Sequence, residues 1–391
     1  PPKTREAGGD RMTRERHIRL GTDHELLLRA ALLDGPESVR AWQGWIETTR
    51  IDRLDAGSQR LLPLLGHNLR RQGIQHRALD VFRGFRRRSW SRNQVLFHEA
   101  SAAVTALRGA GLETMILKGA ALAVRYYEDP GLRPMDDVDL LVRPEGFLPA
   151  TRQLEELGWI PRARLTGLAA EARFRTRAVH FMSRGGGRLD LHAHVLPQAP
   201  AAGADRACWK AAIAARLEGA ETLVLDPADQ LLHVLVHGLA WNEIPSLRWV
   251  ADAALTLRKT PGLDWDRLLG QARGRENVLA LREALGYLRG LLNIPVPRGV
   301  LLSLDRTPVS RRARREFRIS ARPPGLTGEL PRHWHIYLRL AGKPAGLRRL
   351  LGFPNYLRHA WNIEHSGGIL AGAARRAWRL VATFPARPRV R

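Results

Sequence analysis

The sequence predicts an α/β (α+β) protein with a small mixed sheet at its centre and helical regions on both sides. Three observations predict it. Two short apolar runs, "MIL" at 115–117 and "VDLLV" at 138–142, are separated by helical sequence. At 189–195 Leu189, Leu191 and Ala193 alternate with Asp190, His192 and His194, the period of a strand with one buried face. Before and after this middle part, apolar residues recur at helical spacing.

The elements follow in order. From Asp23 to Leu107 the pattern is helical, and Leu96, Ala100, Ala103 and Leu107 line one helix face until the glycines at 109 and 111 stop it. Met115, Ile116 and Leu117 form a short buried strand ending in Lys118 and Gly119. "AALAVRYY" at 120–127 is helical again, and "EDPGLRP" at 128–134 breaks it with two prolines and a glycine. The strand at 138–142 ends at Pro144, and 147–159 is a helix carrying Leu148, Leu154 and Leu157. A third strand at 177–183 turns through "RGGGR" into the alternating strand.

Beyond Pro197 the chain is expected to be helical. Asp226 as cap, Pro227 in the first turn and Asp229 at the positive helix end mark one clear start. The resulting organisation is a frayed N-terminus over 1–22, a helical region over 23–110 and a core over 111–200. A helical domain over 201–294 and a Pro/Arg-rich linker with a basic helical tail over 295–391 follow.

Composition narrows the class. At 391 residues the chain exceeds what one compact core usually holds. There is no uncharged apolar run long enough to span a membrane, and the first residues lack the apolar segment of a secretory signal. The single cysteine, Cys208, excludes an internal disulfide framework and suits a reducing cytoplasm. Sixty-three Lys+Arg against 38 Asp+Glu give a net charge of +25, which favours polyanionic partners. The runs "RGFRRRSW" at 83–90 and "SRRARREFRISAR" at 310–322 mix arginine with aromatics, a pattern that fits either RNA contact or a solvated helix face.

Three aspartates, Asp136, Asp137 and Asp139, stand at the mouth of the second strand. Residues two apart on a strand share a side, so Asp137 and Asp139 present adjacent carboxylates while Asp136 points away. Such a pair calls for a cation, and Mg²⁺ prefers oxygen ligands completed by substrate phosphates. Asp190 is the one further carboxylate with a strand to sit on, and a third carboxylate allows a second metal ion. At the earlier strand-to-helix turn, Gly119 and the small Ala120 let backbone N–H groups approach a phosphate. Lys118 and Arg133 would neutralise its charge.

The order of a glycine turn, an Asp-x-Asp strand and a later single carboxylate resembles the DNA polymerase β-like nucleotidyltransferase superfamily. More narrowly, "LKGAALAVRYYEDPGLRPMDDVDLLV", "RLDLHAHV" and "HGLAWNEIPSLRWVADAA" are similar to the bacterial family of uncharacterised nucleotidyltransferases, over about 94–260. The resemblance implies Mg²⁺, with two ions, and a nucleoside triphosphate such as ATP as donor. It gives Asp137 and Asp139 the role of metal ligands and Asp190 that of a metal ligand or base. Lys118, Gly119, Ala120, Arg133 and His192 are then nucleotide-binding. Ala120 departs from the Gly-Ser or Gly-Gly usual in the superfamily and lacks a hydroxyl for phosphate.

The acceptor stays open between a small molecule, a peptide and RNA. Transfer of another activated group to a peptide natural product, or a non-catalytic basic protein that binds nucleic acid, are the alternatives. His233 and His237 have the spacing of a zinc pair without the glutamate of a metalloprotease; core placement is the simpler reading, with His237 as a candidate cleft-lining residue. Arg248 and Asp252, four apart, read as an intrahelical ion pair or as substrate-positioning residues.

Overall fold

The computed structural model describes residues 18, 20–162, 178–196, 203–240, 246–321, 329–340 and 347–360. The N-terminal region forms α1 (Thr22–Leu32), α2 (Gly35–Thr48), α3 (Ala56–Gln59), α4 (Leu62–Arg71) and the long α5 (Ala78–Gly109). Next come β1 (Thr114–Leu117), α6 (Lys118–Tyr126), β2 (Val138–Val142), α7 (Phe147–Glu156), β3 (Ile160–Pro161), β4 (Val179–Met182) and β5 (Arg188–His192). The chain continues through α8 (Arg206–Lys210), β6 (Ile213–Leu217), β7 (Ala220–Val224), α9 (Pro227–Gly238), α10 (Arg248–Lys259), α11 (Trp265–Gly274) and α12 (Val278–Leu292). It closes with α13 (Arg298–Arg306), α14 (Arg311–Ala321), α15 (Glu329–Leu340) and α16 (Leu347–Ala360).

All seven described strands make one mixed sheet in the order β3-β4-β5-β2-β1-β7-β6. At its centre β2 runs antiparallel to β1 and parallel to β5. The α/β class with a mixed sheet is therefore as expected, and the sheet is larger than the sequence indicated. The stretch after Pro197, expected as helix, contains the β6–β7 hairpin, which reaches β1 through the Met115–Leu223 register. Glu218 and Gly219, at φ 45 and 88, make its tight turn. A buried hydrogen bond of 3.1 Å between the Thr114 and Thr222 hydroxyls joins the hairpin to the sheet.

The two faces of the sheet bury different helices. Ile116, Val138, Leu140, Val142, Leu189 and Leu191 pack with Leu96, Val104 and Leu107 of α5 and Phe147 and Leu154 of α7. Met115, Leu117 and Leu141 instead join a core made by α1, α2, α4 and α9–α13, including Trp45, Leu65, Leu235, Val250 and Leu285. The first N-terminal helices and the C-terminal helices thus share one core over one face, while α5 and α7 cover the other, so helical regions flank the sheet as expected. The stretch from 295, expected as a linker or surface wrap, folds at α13 against that core through Val300 and Leu304, four apart on one helix face.

Among the described residues no helix is long and apolar enough to cross a membrane. The arginine–aromatic runs lie on α5 and α14. Some of their charges are paired, Arg83 with Asp80, Arg86 with Asp129, and Arg312 with Glu316 and Glu276. The expectations for the frayed N-terminus up to His17 and for the tail beyond Ala360 lie outside the described residues.

Candidate active site

Strand alternation decides where the carboxylates point. Asp139 alternates with the apolar Val138 and Leu140 and shares the side of Leu141, so it faces the helical layer. Asp190 and His192 alternate in the same way with Leu189 and Leu191 on β5. The parallel register sets Asp190 directly beside Asp139, and the antiparallel register of β1 and β2 sets Leu117 opposite Asp139. Three neighbouring strands therefore deliver Lys118, Asp139 and Asp190 to one place. Asp139, Asp190 and His192 each put a ligand atom within 4.8 Å of the other two.

Lys118 makes the strand-to-helix turn at φ 42, a backbone region that non-glycine residues seldom adopt and that recurs at functional sites. Its Nζ donates to Asp139 Oδ1 at 2.6 Å, and His192 Nε2 donates to the same oxygen at 2.8 Å. Oδ2 of Asp139 is then the oxygen left for a cation. Burial alone would raise the Asp139 carboxyl, but Lys118 and His192 outweigh it and hold it well below the usual carboxylate range. Burial works against the Lys118 ammonium too, and Asp139, followed by Asp190 and Asp137, more than offsets it and raises its pKa. His192 is pushed down by burial and by Lys118, so it serves as a neutral donor to the carboxylate.

Asp137 precedes β2 and lines the same cleft as Asp139, outside the three-residue ligand group. Burial, then the charges of Asp139 and Asp190, push it up to about 6. A raised acid pKa means the folded chain holds its proton more tightly than the unfolded chain. Without a cation, the contribution of Asp137 to stability falls as pH rises from its ordinary 3.8 to about 6. A bound cation reverses this, so Mg²⁺ should raise the melting temperature more at about pH 8 than at about pH 5; equal shifts would show that Asp137 does not face the cation.

Asp136 is exposed and pairs with Arg60; it also lines the cleft with Asp137 and Asp139, outside the ligand group. His180, on β4, holds Asp190 Oδ1 through Nδ1 at 2.6 Å, which orients the third carboxylate. His194 lies past the end of β5 and meets Asp205 at 3.4 Å, so the alternating face delivers Asp190 and His192 but not His194 to the cleft.

Gly119 is needed for close approach. A Cβ there would come 2.7 Å from Arg133 Nη1 and 2.7 Å from Met135 Sδ. The Ala120 side chain is buried in the sheet core, so its contribution to the turn is its backbone. No side chain caps the start of α6, which leaves the turn N–H groups for a ligand or water. Arg133 is buried and bidentate with Asp252, Nε to Oδ1 and Nη2 to Oδ2 both at 2.8 Å, and the Tyr127 hydroxyl donates to Oδ1 at 2.8 Å. Of the two sequence readings for Arg248 and Asp252, the intrahelical pair is not formed; Arg248 donates Nη1 to the Pro134 carbonyl at 2.6 Å.

The far wall of the cleft was assigned from sequence in part, through Arg248 and Asp252 as substrate-positioning residues and His237 as cleft-lining. His233, His237, Gly238, Arg248 and Trp249, from α9 and α10, close a volume of about 270 Å³ with Lys118, Gly119, Arg133 and the aspartates. A Cβ on Gly238 would lie 2.2 Å from that of Trp249, so glycine lets the two helices cross there. Burial and then Lys118 push His237 down to about 4, and burial and His237 keep His233 neutral. The two rings stand edge to face at 6.3 Å and take no part in the one candidate metal group among the described residues.

Carboxylates gathered for a cation beside a turn open to phosphate are the layout of a transferase of phosphorus-containing groups. The chain belongs to the family described as uncharacterised nucleotidyltransferase, whose model matches residues 55–293. The match runs from α3 to α12 and so takes in both walls of the cleft. Among solved structures, the chain is similar to an antigenic nucleotidyltransferase-like protein from Paracoccidioides brasiliensis. The identity is 15% over 54% of this chain and 97% of that one, with a TM-score of 0.35. No curated protein matches the chain.

Proposed function

We propose that the protein is a bacterial, cytoplasmic, Mg²⁺-dependent nucleotidyltransferase of the polymerase β-like type. It moves a nucleoside monophosphate from a triphosphate to an acceptor and releases pyrophosphate. The observation that carries this reading is the register of β1, β2 and β5, which assembles Lys118, Asp139 and Asp190 beside the Gly119 turn. The donor set would suit a hard divalent cation: Asp139 and Asp190 offer oxygens within one ligand group, Asp137 lines the same cleft, and His192 donates to Asp139 Oδ1. These residues would hold Mg²⁺, whose chemistry is to neutralise charge that builds on phosphate oxygens.

The chain's own residues do the rest. Turn N–H groups at Gly119 and Ala120 bind phosphate oxygens, and Lys118 and the Nη1 of Arg133 offset their charge. Asp190, steadied by His180, aligns the acceptor oxygen and accepts its proton. The bond from the α-phosphorus to the bridging oxygen breaks, a bond to the acceptor oxygen forms, and pyrophosphate carries away the electron pair. Much of the rate comes from holding donor and acceptor in line, which falls to the helical wall across the cleft.

The test is nucleotide binding. Each of the four ribonucleoside triphosphates, with Mg²⁺, is added to the wild type and to Asp137→Asn/Asp139→Asn, and the melting temperature is read. At least one triphosphate should stabilise the wild type and not the variant. Stabilisation that survives the double replacement would remove the carboxylates from the site.

A further inference from the structure

The arginine–aromatic run of α5 has no part in the chemistry of the cleft, and the structure sets it apart from its counterpart on α14. From Arg77 to Arg92 the chain carries six arginines against one acidic residue, Asp80. Arg83, Arg87 and Trp90, spaced four and three apart, lie along one side of the helix. Arg70 joins them from α4. Burial, then the charge of Arg83, pushes its guanidinium down; Asp80 opposes this, and Arg86 and Arg87 add to it.

The carboxylates along this stretch are few and already committed. Asp80 pairs with Arg83, Asp129 with Arg86, and Glu128 with His67. Arg77, Arg87 and Arg88 are exposed and form no ion pair among the described residues. Seven arginines, Arg70 included, thus stand against three carboxylates, and the excess favours a polyanion. Trp90 is 48% exposed although its root is fixed, since a Cβ on Gly131 would come 2.9 Å from that of Trp90. An aromatic ring held at its base and open to solvent among guanidinium groups is suited to stack an unpaired base. On α14 the aromatic Phe317 packs against the core instead, and Arg312 is held by Glu316 and Glu276.

The basic stretch ends at the rim of the cleft. Asn93 donates to the carbonyls of Pro130 and Arg133 at 2.7 and 2.9 Å, and Arg92 to those of Gly186 and Asp136 at 2.9 and 3.3 Å. Arg133 and Asp136 line the cleft, and Gly186 lies in the turn that leads into Asp190. We propose that this face of α5 docks single-stranded RNA, with arginines on its phosphates and Trp90 stacked on a base, and leads the strand to the rim at Arg92. As an assignment of the acceptor it rests on the transfer reading, whereas the RNA-binding face itself does not. An acidic peptide would match the charge and leave Trp90 without a partner, and a duplex offers no unstacked base. Ser91 and Gln94, beside Trp90, offer polar atoms to a 2′-hydroxyl, which DNA lacks.

The probe is a short fluorescent single-stranded RNA, read by anisotropy over a range of salt without Mg²⁺ or nucleotide. The wild type should bind it more tightly than the same sequence as DNA, an RNA duplex or polyglutamate. Arg87→Gln/Arg88→Gln should bind at least about tenfold more weakly and flatten the log–log salt slope by about 1.4, at ~0.7 per phosphate contact. Trp90→Ala should bind at least about fivefold more weakly with the slope unchanged, because stacking releases no counterions. If Trp90→Ala does not fold, Trp90→Leu, which keeps the packing at Gly131 and loses the ring, replaces it. Arg311→Gln/Arg315→Gln on α14 removes the same charge and should stay within about twofold of wild type. Equal losses from the α5 and α14 pairs, or DNA, duplex or polyglutamate bound as tightly as the RNA strand, would overturn the proposal. RNA held through α5 with no nucleotide transferred keeps the face and loses the transfer reading. Transfer to a peptide or small molecule at a rate that Arg87→Gln/Arg88→Gln leaves unchanged does the reverse.

Discussion

Asp139→Asn should lower the rate of pyrophosphate release roughly a thousandfold or more, because a metal-held phosphate supplies several kcal/mol to the transition state and each ~1.4 kcal/mol is tenfold. The amide has nearly the shape of the carboxylate and lacks its charge. It cannot hold a hard cation, and it leaves the Lys118 ammonium without its partner at 2.6 Å. Initial rates at saturating nucleotide check the effect, with the melting temperature as control for folding. Asp136→Asn is the matched comparison. Its side chain is exposed and turned to Arg60, so its rate should stay within about twofold of wild type and its stability within about 0.5 kcal/mol.

Asp252→Ala should cost about 3–5 kcal/mol of stability, the usual loss when one partner of a buried ion pair is removed. Arg133 would keep its buried charge and lose both hydrogen bonds, and the Tyr127 hydroxyl would lose its acceptor. Urea unfolding measures the effect, and a loss below about 1 kcal/mol would mean that the pair is not buried as described. The double replacement Arg133→Met/Asp252→Leu should recover part of the loss, since packed apolar residues can stand in for a buried pair. It should not recover nucleotide binding, because the phosphates lose the charge of the Arg133 guanidinium.

The near wall of the cleft was legible in the sequence, and the far wall only in part, through His237, Arg248 and Asp252. β1 and β2 are fully buried apolar runs bounded by glycine and proline, and β5 alternates strictly, so their period and limits stand out. Alternation also places Asp137, Asp139, Asp190 and His192 on one side. Hairpin β6–β7 is different. Alanine, leucine, arginine and glutamate, all helix formers, outnumber Ile213, Thr222 and Val224 in it, and it becomes strand because β1 offers it a free edge. Its local marks were Gly219 at the turn and the β-branched Thr222 and Val224 two apart after it.

Long-range partners left no local trace either. Arg133 and Asp252 are 119 residues apart, and the helical spacing of Asp252 from Arg248 pointed to the wrong partner. His233 and His237 sit on a helix whose buried face reads as core, and the cleft cuts into that core only where α9 crosses α10 at Gly238. The Val300–Leu304 pair in α13 was masked by the arginines and prolines around it.

The most direct test of the central claim follows the two ends of the donor. The protein is incubated with Mg²⁺ and each triphosphate labelled at either the α- or the γ-phosphorus, in the presence of RNA, peptides or small metabolites. The expected result is that α-label moves to an acceptor while γ-label leaves as pyrophosphate. Transfer of γ-label to the acceptor, or bound nucleotide that releases no pyrophosphate with any acceptor class, would contradict nucleotidyl transfer.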